Sequence, residues 1–398
     1  MLTTNGSILF KHRKGGSRLV VGAIAISTAM LLVACGNSKG TTAADPGGSA
    51  GSSDTASGVA EAKQIVADYS KPPTWQGPND PVKVSDLSGK RVVYISVSNS
   101  IPVLKYWSDT LAGVVKNVAG IQFDVVDAKG SVDEANKGFQ QAIATKADVV
   151  VLQAFSADLF TAQIQQAKAA GIKVITANSG VPGKVDGGQD AEVTFDYVKV
   201  GQLIADWMIA DSKGSGKALL VTSDDVPASQ PQAQGTLAEV KRLCPSCDVQ
   251  KKDVQIPQWE ASIPTLFQTT INTDPTRTYL LPIYDGQALG GLGAIRTAGA
   301  GSRVKVGTFN ATPGIVEQLK DASSGLKLDV GGQNEWWAYA CADTIFRVIT
   351  GTKPIDNYNV GLRIFDTSNS DLIQGKDEFS WYGDAADYKA EFAKLWTK

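Results

Sequence analysis

From Arg91 onward, short runs of apolar residues alternate with longer amphipathic stretches, and this alternation limits the fold more than any other feature. Runs such as "DVVVL" and "KALLV" are apolar at successive positions, whereas a strand with one face in water would alternate. Residues 103–118 instead carry apolar side chains at three- and four-residue spacings, which predicts a helix. Strands that are apolar on both faces need helices on both sides of their sheet. The sequence therefore predicts an α/β protein with parallel sheets.

The strand and helix pattern repeats in two series. In the first series, strands are predicted at 91–97, 123–126, 148–152 and 172–176, with helices at 103–118, 132–145 and 157–170. In the second series, helices are predicted at 197–211, 232–243, 260–271, 287–297 and 313–322, with strands at 218–222, 249–255, 278–283, 304–307 and 326–330. Each series predicts one doubly wound lobe. Because such folds bind ligands at the carboxyl ends of their strands, the loops that follow the strands are the candidate site.

Amide, hydroxyl and aromatic side chains recur in the segments that follow these strands. They are Asn99, Ser100, Tyr106, Trp107, Asn178, Gln234, Trp259, Tyr284, Asp285, Asn310 and Gln333. An amide offers donors and an acceptor without charge, and an aromatic ring covers an apolar surface. Any single one of them could be an ordinary polar loop residue. Their recurrence favours a site for a neutral, hydroxyl-rich small molecule such as a sugar.

The N-terminus has the layout of an export signal. Basic residues between Lys11 and Arg18 precede an apolar run, 19–34, that is too short to span a bilayer. The end of this run, Leu-Val-Ala-Cys35, resembles the lipobox of bacterial lipoproteins, which implies cleavage before Cys35 and acylation of its thiol. An ordinary secretory signal with a chance cysteine is the alternative. Residues 36–58 are rich in Gly, Ser, Thr and Ala and predict a flexible tether.

Several features argue against catalysis and nucleic-acid binding. The only histidine, His12, lies in the predicted signal, so the mature chain lacks the base of the Ser-His-Asp and Cys-His mechanisms. Arg296 occupies the last glycine position of the GxGxxG that Gly291 would begin, and Gly216-Lys217 lacks the glycine that a P-loop needs at Asp211. The pair Asp224 and Asp225 is more typical of a solvated turn than of a metal site. The formal net charge of −2 becomes −6 without the four basic residues of 1–34, which disfavours a nucleic-acid surface. We expect no enzymatic activity, no cofactor and no metal.

The remaining cysteines have separate interpretations. Cys244 and Cys247 form Cys-Pro-Ser-Cys at the end of a predicted helix, without the two further ligands that zinc would need. A small loop disulfide is favoured over a redox dithiol. Cys341 lies in a helical pattern and is predicted to be a small buried apolar residue.

The order and spacing of several segments resemble the type 1 periplasmic binding proteins of the ribose-binding kind, the solute receptors of ABC importers. These segments are "RVVYISVSNS", "ADVVVLQAFSAD", "AGIKVITANSG", "DYVKVGQLIADW", "YDGQALGGLGAIRTAG" and "VGTFNATPGIVEQLKDASSG". The resemblance covers about residues 91–359 and implies that the strand-end residues named above contact a ligand in a cleft. Sugar receptors of this kind usually carry an Asp-Arg pair after the fourth strand, an arginine at the position of Gln234 and an aspartate at that of Asn310. All of these positions are uncharged here, so the resemblance does not extend to pentose specificity, although the amide and aromatic residues of the cleft are kept.

The resemblance also implies the organisation of the chain. Three crossovers near 195–198, 331–334 and 355–361 would join the lobes and act as a hinge. The predicted regions are a signal peptide 1–34, a tether 35–60, a lead-in 61–90, an N-terminal lobe 91–196 plus 333–356, and a C-terminal lobe 197–332 plus 357–398.

The function implied is that of a monomeric extracytoplasmic receptor, held at the membrane through acylated Cys35, that delivers a sugar-like solute to an ABC permease and its ATPase. A ligand-sensing ectodomain that signals to a membrane receptor kinase is the alternative. An exported chain would not meet nucleic acid.

Overall fold

The computed structural model describes residues 50–375, 378–383 and 387–398. The predicted signal peptide, Cys35 and the tether up to residue 49 lie outside the described residues. Among the residues described, no helix combines the length and apolar character that crossing a bilayer requires.

The described chain begins with a helix where the sequence predicts the end of a flexible tether. Helix α1 (Ala50–Tyr69) packs on two helices of the C-terminal lobe, and Val59 and Ala62 are buried there. The prediction is therefore wrong for residues 50–60. Composition misled it because the helix begins among small polar residues, while its buried side chains come later. A proline-rich segment then leads to strand β1 (Val82–Lys83).

Within the described residues, the N-terminal lobe is built on a five-stranded parallel sheet in the order β3-β2-β4-β5-β6. Its strands are β2 (Arg91–Ser96), β3 (Gln122–Asp127), β4 (Val149–Gln153), β5 (Lys173–Ala177) and β6 (Ala191–Val193). Its helices are α2 (Pro102–Ala119), α3 (Val132–Ala144) and α4 (Thr161–Ala169), with a 3-10 turn at Ala157–Phe160. Every residue of β4 is buried, as its unbroken apolar run predicts.

The C-terminal lobe contains a sheet in the order β12-β11-β10-β9-β7-β8. Its strands are β7 (Lys217–Thr222), β8 (Asp248–Asp253), β9 (Tyr279–Pro282), β10 (Lys305–Phe309), β11 (Leu326–Gly332) and β12 (Leu362–Asp366). Its helices are α5 (Tyr197–Ser212), α6 (Ser229–Leu243), α7 (Trp259–Thr273) and α8 (Asp285–Thr297). Strand β12 pairs antiparallel with β11, so this sheet is mixed and not wholly parallel as predicted.

The helix predicted at 313–322 is absent from the described structure, which has only a 3-10 turn at Val316–Lys320 in that segment. Gly314 has a φ of 92°, which is outside the helical region, so a helix cannot run through the start of this segment.

The chain crosses between the lobes at the three predicted places: from β6 to α5, from β11 to α9 (Asn334–Thr350), and from α9 to β12. After β12 come a 3-10 turn at Ser370–Leu372 and helix α10 (Glu378–Tyr382), which packs with the C-terminal lobe.

The last described segment belongs to the other lobe. Helix α11 (Tyr388–Leu395) and strand β13 (Trp396–Thr397) pack on α9 and pair with β1. The prediction that 357–398 belong entirely to the C-terminal lobe is wrong for residues 388–398. Aromatic contacts between residues that are far apart in sequence hold this segment on the N-terminal lobe. Trp396, for example, stacks on Tyr339 of α9 with ring centroids 5.5 Å apart.

Candidate functional site

A partly enclosed cavity lies between the lobes at the carboxyl ends of their strands, and the volume in it that is open to the centres of water-sized molecules is about 30 Å³. The N-terminal lobe contributes Val97, Ile101, Val103, Leu104, Trp107, Ala154 and Asn178. The C-terminal lobe contributes Tyr197, Val226, Ile256, Trp259, Tyr284 and Asn310. Since neither lobe supplies the whole lining, the cavity is closed only while the lobes are together.

Five of the residues predicted from strand ends line this cavity. They are Trp107, Asn178, Trp259, Tyr284 and Asn310. They are distributed over both lobes, so the structure brings together side chains that are up to two hundred residues apart in sequence. They lie together at the edge of the sheets where parallel strands end, which is where such folds are expected to bind ligands.

Three lining residues adopt backbone conformations that L-residues rarely take. Ala154, Asn178 and Asn310 each follow directly on a strand, β4, β5 and β10, with φ values of 58°, 56° and 126°. Non-glycine residues with positive φ cost free energy and persist where the surrounding structure fixes them. Three of the eight non-glycine residues with positive φ in the described chain therefore line the cavity.

Several polar atoms at this cavity are buried without a hydrogen-bond partner. They are both amide atoms of Asn178, the Oδ1 atom of Asn310 and the hydroxyl of Tyr284. Leaving a buried donor or acceptor unpaired costs about 1–3 kcal/mol. A ligand that offers hydrogen bonds to these atoms would remove that cost, so these groups are the polar contacts of the candidate site.

The two indoles of the cavity have their donors engaged elsewhere. Trp259 Nε1 donates to Ser223 Oγ at 3.1 Å and to the Val254 carbonyl at 2.9 Å. Trp107 Nε1 donates to Asn334 Oδ1 at 2.7 Å. Both side chains therefore offer the cavity only apolar ring surface.

A wider, open chamber adjoins the cavity and shares Ile101, Ile256 and Trp259 with it. Its polar lining includes Ser98, Ser100, Asp127, Lys129 and Glu260. The predicted residue Ser100 lies here, outside the cavity. The charged side chains of the site therefore lie in the chamber that is open to solvent.

Gln234, which the resemblance implies as a ligand contact, lies away from the cavity. The side chain is exposed on α6 and lines neither the cavity nor the chamber. The buried amide of this helix belongs to Gln232, whose Nε2 donates to the Ile283 carbonyl at 2.8 Å. Two residues correspond to about 200° of rotation around a helix, so Gln234 faces away from the site.

Asn99 and Tyr106 also lie outside the cavity lining. The Asn99 backbone N–H donates to Asp127 Oδ1 at 3.0 Å, which fixes the loop at the edge of the open chamber. Tyr106 is half-buried on α2, where burial and the nearby carboxyl of Glu378 raise the pKa of its hydroxyl. Its ring points toward α10 and not toward the cavity lining.

Asp285 supports the site without lining it. The carboxylate is fully buried and accepts the Thr312 backbone N–H at 2.7 Å, and burial raises the pKa of Asp285 to about 6. Asp329 similarly accepts the Ala311 backbone N–H at 2.9 Å, and burial together with the neighbouring Asp285 raises its pKa. The two acids hold the loop that begins with Asn310.

Gln333 is buried at the second crossover rather than in the cavity lining, and neither of its amide atoms has a partner. Its backbone N–H donates to the Gly361 carbonyl at 3.0 Å, which ties this crossover to the third one.

The aliphatic half of the lining was missed from the sequence. Val97, Ile101, Leu104, Val226 and Ile256 all contact the cavity. In sequence they look like ordinary strand, helix or loop residues, because an apolar side chain gives the same signal in a core as in a pocket. Only the meeting of the two lobes distinguishes them.

The cysteines take no part in the cavity. Cys244 and Cys247 are joined by a disulfide with a Cα–Cα distance of 5.4 Å, and Cys341 is a free, buried thiol whose pKa is raised by burial. Within the described residues, no group of three or more His, Cys, Asp or Glu side chains is placed to hold a metal ion.

Residues 95–353 match the family described as "Periplasmic binding protein domain". This match covers more than half of the chain, and the protein therefore belongs to that family. Members of the family bind solutes and do not convert them, so the protein is a substrate-binding protein that acts outside the cytoplasm and not an enzyme.

Solved structures of ABC transporter proteins share the fold. A 5-methylthioribose transporter solute-binding protein from Thermotoga lettingae has a TM-score of 0.66 at 18% identity, with 76% of this chain and 98% of that chain covered. A solute-binding protein from Agrobacterium vitis with bound allitol has a TM-score of 0.65 at 18% identity, covering 72% and 98%. An ABC sugar transporter subunit from Rhodobacter sphaeroides has a TM-score of 0.64 at 16% identity, covering 71% and 100%. A comparison with curated protein sequences finds no match.

Proposed function

We propose that the protein captures a neutral, sugar-like small molecule between its lobes and delivers it to an ABC import permease. The observation that carries this proposal is the cavity shared by the two lobes, in which Asn178, Asn310 and Tyr284 hold unpartnered polar atoms beside the rings of Trp107 and Trp259. Structures of similar fold bind allitol, D-allose and 5-methylthioribose, all small molecules with several hydroxyls.

Capture would proceed by closure of the lobes. With the lobes apart, the amides of Asn178 and Asn310 are hydrated on opposite walls of an open cleft. A ligand that hydrogen-bonds to both walls favours the closed state over the open one, and the crossovers act as the hinge. The closed form, with ligand inside, is the state that a permease would recognise.

Isothermal titration calorimetry with a panel of sugars and polyols, including D-allose, allitol and D-ribose, tests the proposal. We expect one compound or more to bind, and the Asn178→Ala variant to bind it at least about tenfold more weakly, because a buried hydrogen bond is lost. Gln234→Ala is the matched control, since this exposed amide is remote from the cavity. Failure of the whole panel to bind, or equal losses in both variants, would contradict the proposal.

We further propose that acylated Cys35 anchors the protein to the membrane. The "LVAC" motif after the basic and apolar segments supports this, and acyl chains add about 0.8 kcal/mol of membrane affinity per buried CH₂. The expected result is that wild-type protein fractionates with membranes and that Cys35→Ser fractionates with soluble protein. Cys341→Ser is the control, because this buried thiol should have no effect on fractionation. Membrane association retained by Cys35→Ser would refute the anchor.

A further inference from the structure

The cavity is more apolar than a site for a fully hydroxylated sugar requires. Val97, Ile101, Leu104, Val226 and Ile256 line it in addition to its aromatic rings, and none of these five side chains can donate or accept a hydrogen bond. They come from both lobes, so the closed cavity has aliphatic surface on its two facing walls.

The supply of polar contacts is correspondingly small. Within the described residues, the unpartnered side-chain atoms at the cavity are Nδ2 and Oδ1 of Asn178, Oδ1 of Asn310 and the Tyr284 hydroxyl. A hexose enclosed here would press some hydroxyls against aliphatic side chains and lose their hydrogen bonds to water without replacement. Such a ligand would match only part of the lining.

The charged groups do not change this balance. Asp127, Lys129 and Glu260 lie in the adjoining open chamber and not in the cavity. A polar end of a ligand would meet them only in that chamber, whose lining shares Ile101, Ile256 and Trp259 with the cavity. The interior therefore selects for apolar surface.

We infer that the ligand is amphipathic: a small hydroxylated moiety, held by Asn178, Asn310 and Tyr284, joined to an alkyl, thioalkyl or aryl group. The apolar group lies against Ile101 and Leu104 of one lobe and Val226 and Ile256 of the other. This inference rests on the proposed function, because it refines the ligand class of the same cavity.

The test compares matched pairs of probes by calorimetry on the full mature chain. D-glucose is compared with methyl and phenyl β-D-glucopyranoside, and D-ribose with methyl and phenyl β-D-ribofuranoside. We expect a substituted glycoside to bind at least about tenfold more tightly than its parent sugar, since one well-placed apolar group in a hydrophobic pocket gives discrimination of that size.

Variants locate the effect in the cavity. Val226→Thr keeps the shape of the side chain and adds a hydroxyl, so it should remove most of the preference for the substituted glycoside. Val125→Thr makes the same chemical change on β3, where the side chain is 41% exposed, and should leave the preference intact. Thermal melting establishes whether both variants are folded. If one of them is not, the affinities of the wild-type protein for the parent sugars and their substituted glycosides decide the question alone.

The outcomes separate the two claims. Parent sugars that bind as tightly as their substituted partners would overturn the inference and leave the proposed function standing. Equal losses of preference in the two valine variants would also overturn the inference. If no sugar and no glycoside binds, the proposed function fails and the inference fails with it.

Discussion

At the scale of single residues, the groups that make the site are the groups that stabilise the free protein least. Asn178 and Asn310 combine a positive φ with unpartnered buried amide atoms. Each of these features costs free energy in the ligand-free state. Such residues are expected at positions where the requirements of binding, and not those of stability, determine which residue type is present.

We predict that Asn178→Gly separates stability from binding. Glycine adopts the left-handed φ of 56° without strain, and the change removes two unpartnered buried atoms. Together these gains outweigh the cost that arises because glycine has more conformational entropy in the unfolded chain. The free energy of unfolding should rise by about 1 kcal/mol, measured by urea denaturation, while ligand affinity falls at least about tenfold. A clear loss of stability would show that the amide has a structural partner.

Glu192 fixes the loop that follows Asn178, because its carboxylate accepts the Ser179 backbone N–H at 3.0 Å and the Ser179 hydroxyl at 2.8 Å. Burial raises the pKa of Glu192 from 4.5 to about 7, against the lowering effect of hydrogen bonds from Thr176 and Ser179. The folded state therefore binds more protons than the unfolded state between these two pH values. The stability contributed by this proton is fully present below pH 4.5 and is lost as the pH rises through about 7.

We expect Glu192→Gln to flatten the pH dependence of stability. The amide carries no charge to desolvate, so at pH 8 the free energy of unfolding of the variant should be about 2 kcal/mol higher than that of the wild type. Near pH 5 this difference should disappear. Urea midpoints at pH 5, 6, 7 and 8 measure the slope. Glu260→Gln, a change at an exposed carboxylate, is the control and should follow the wild-type slope. Parallel curves for wild type and Glu192→Gln would refute the assignment.

At the scale of elements, the close crossing of α5 and α6 positions one wall of the cavity. A Cβ atom on Gly235 would lie 2.1 Å from the Val198 carbonyl oxygen, and one on Gly201 would lie 2.0 Å from that of Gln232. Thr236 Oγ1 donates to the Gly201 carbonyl at 3.0 Å across the same contact. Because α6 begins three residues after the cavity residue Val226, the backbone contact between the helices fixes that part of the wall.

Gly235→Ala should separate these helices. The methyl group meets backbone that cannot rotate away, and we expect a loss of about 2–3 kcal/mol in the free energy of unfolding, with weaker ligand binding. Gly113→Ala in α2 is the control, because a Cβ there meets nothing within 4 Å, and should stabilise by about 0.5–1 kcal/mol. Guanidinium denaturation compares the two. Equal effects would show that the crossing tolerates a side chain.

At the scale of the whole molecule, the lobes are tied by more than the hinge. Helix α1 packs on α5 and α6 of the C-terminal lobe, while Trp75, a few residues later, stacks on Trp336 of α9 with ring centroids 5.0 Å apart. The N-terminal segment thus spans both lobes.

Asn334 links the closed lobes at the second crossover. Its Nδ2 donates to the Asn310 carbonyl at 2.9 Å, and its Oδ1 accepts from Trp107 Nε1 at 2.7 Å. Its backbone N–H donates to Glu378 Oε1 at 2.9 Å, and burial raises the pKa of Glu378 to about 8. One side chain therefore joins a cavity residue of each lobe.

We predict that Trp107→Phe weakens this link and favours the open form. The change leaves Asn334 Oδ1 buried without a donor, whereas Trp337→Phe, the control, removes an indole N–H that has no partner. Both variants replace a buried indole with a smaller phenyl ring. Trp107→Phe should therefore lose about 1 kcal/mol more stability than Trp337→Phe. It should also increase the radius of gyration in small-angle X-ray scattering, and equal radii for the two variants would argue against the link.

Much of the fold was predictable because its signals are local. Unbroken apolar runs identify buried parallel strands, and three- and four-residue spacings identify the helices between them. The exceptions are segments whose position depends on contacts with residues far away in sequence. The α1 segment has the composition of a linker, and α11 joins the N-terminal lobe through aromatic rings on α9. The local sequence of neither segment predicts where it packs.

The candidate site was predictable in part for the same reason. Strand ends locate Asn178, Tyr284 and Asn310, because the sheet fixes where its strands finish. Whether Gln232 or Gln234 is the buried residue depends on how α6 is rotated about its axis, and the residues before the helix do not determine that rotation.

The sequence by itself determined the α/β class, the two series of strands and helices and the strand ends that carry the polar contacts, since each depends on the periodicity of neighbouring residues. Only the tertiary structure decided which apolar side chains line the cavity, which acids are buried beneath it and which lobe holds each end of the described chain. These properties depend on surfaces that meet only after folding, and a side chain carries the same chemistry whether it faces a core, a ligand or water.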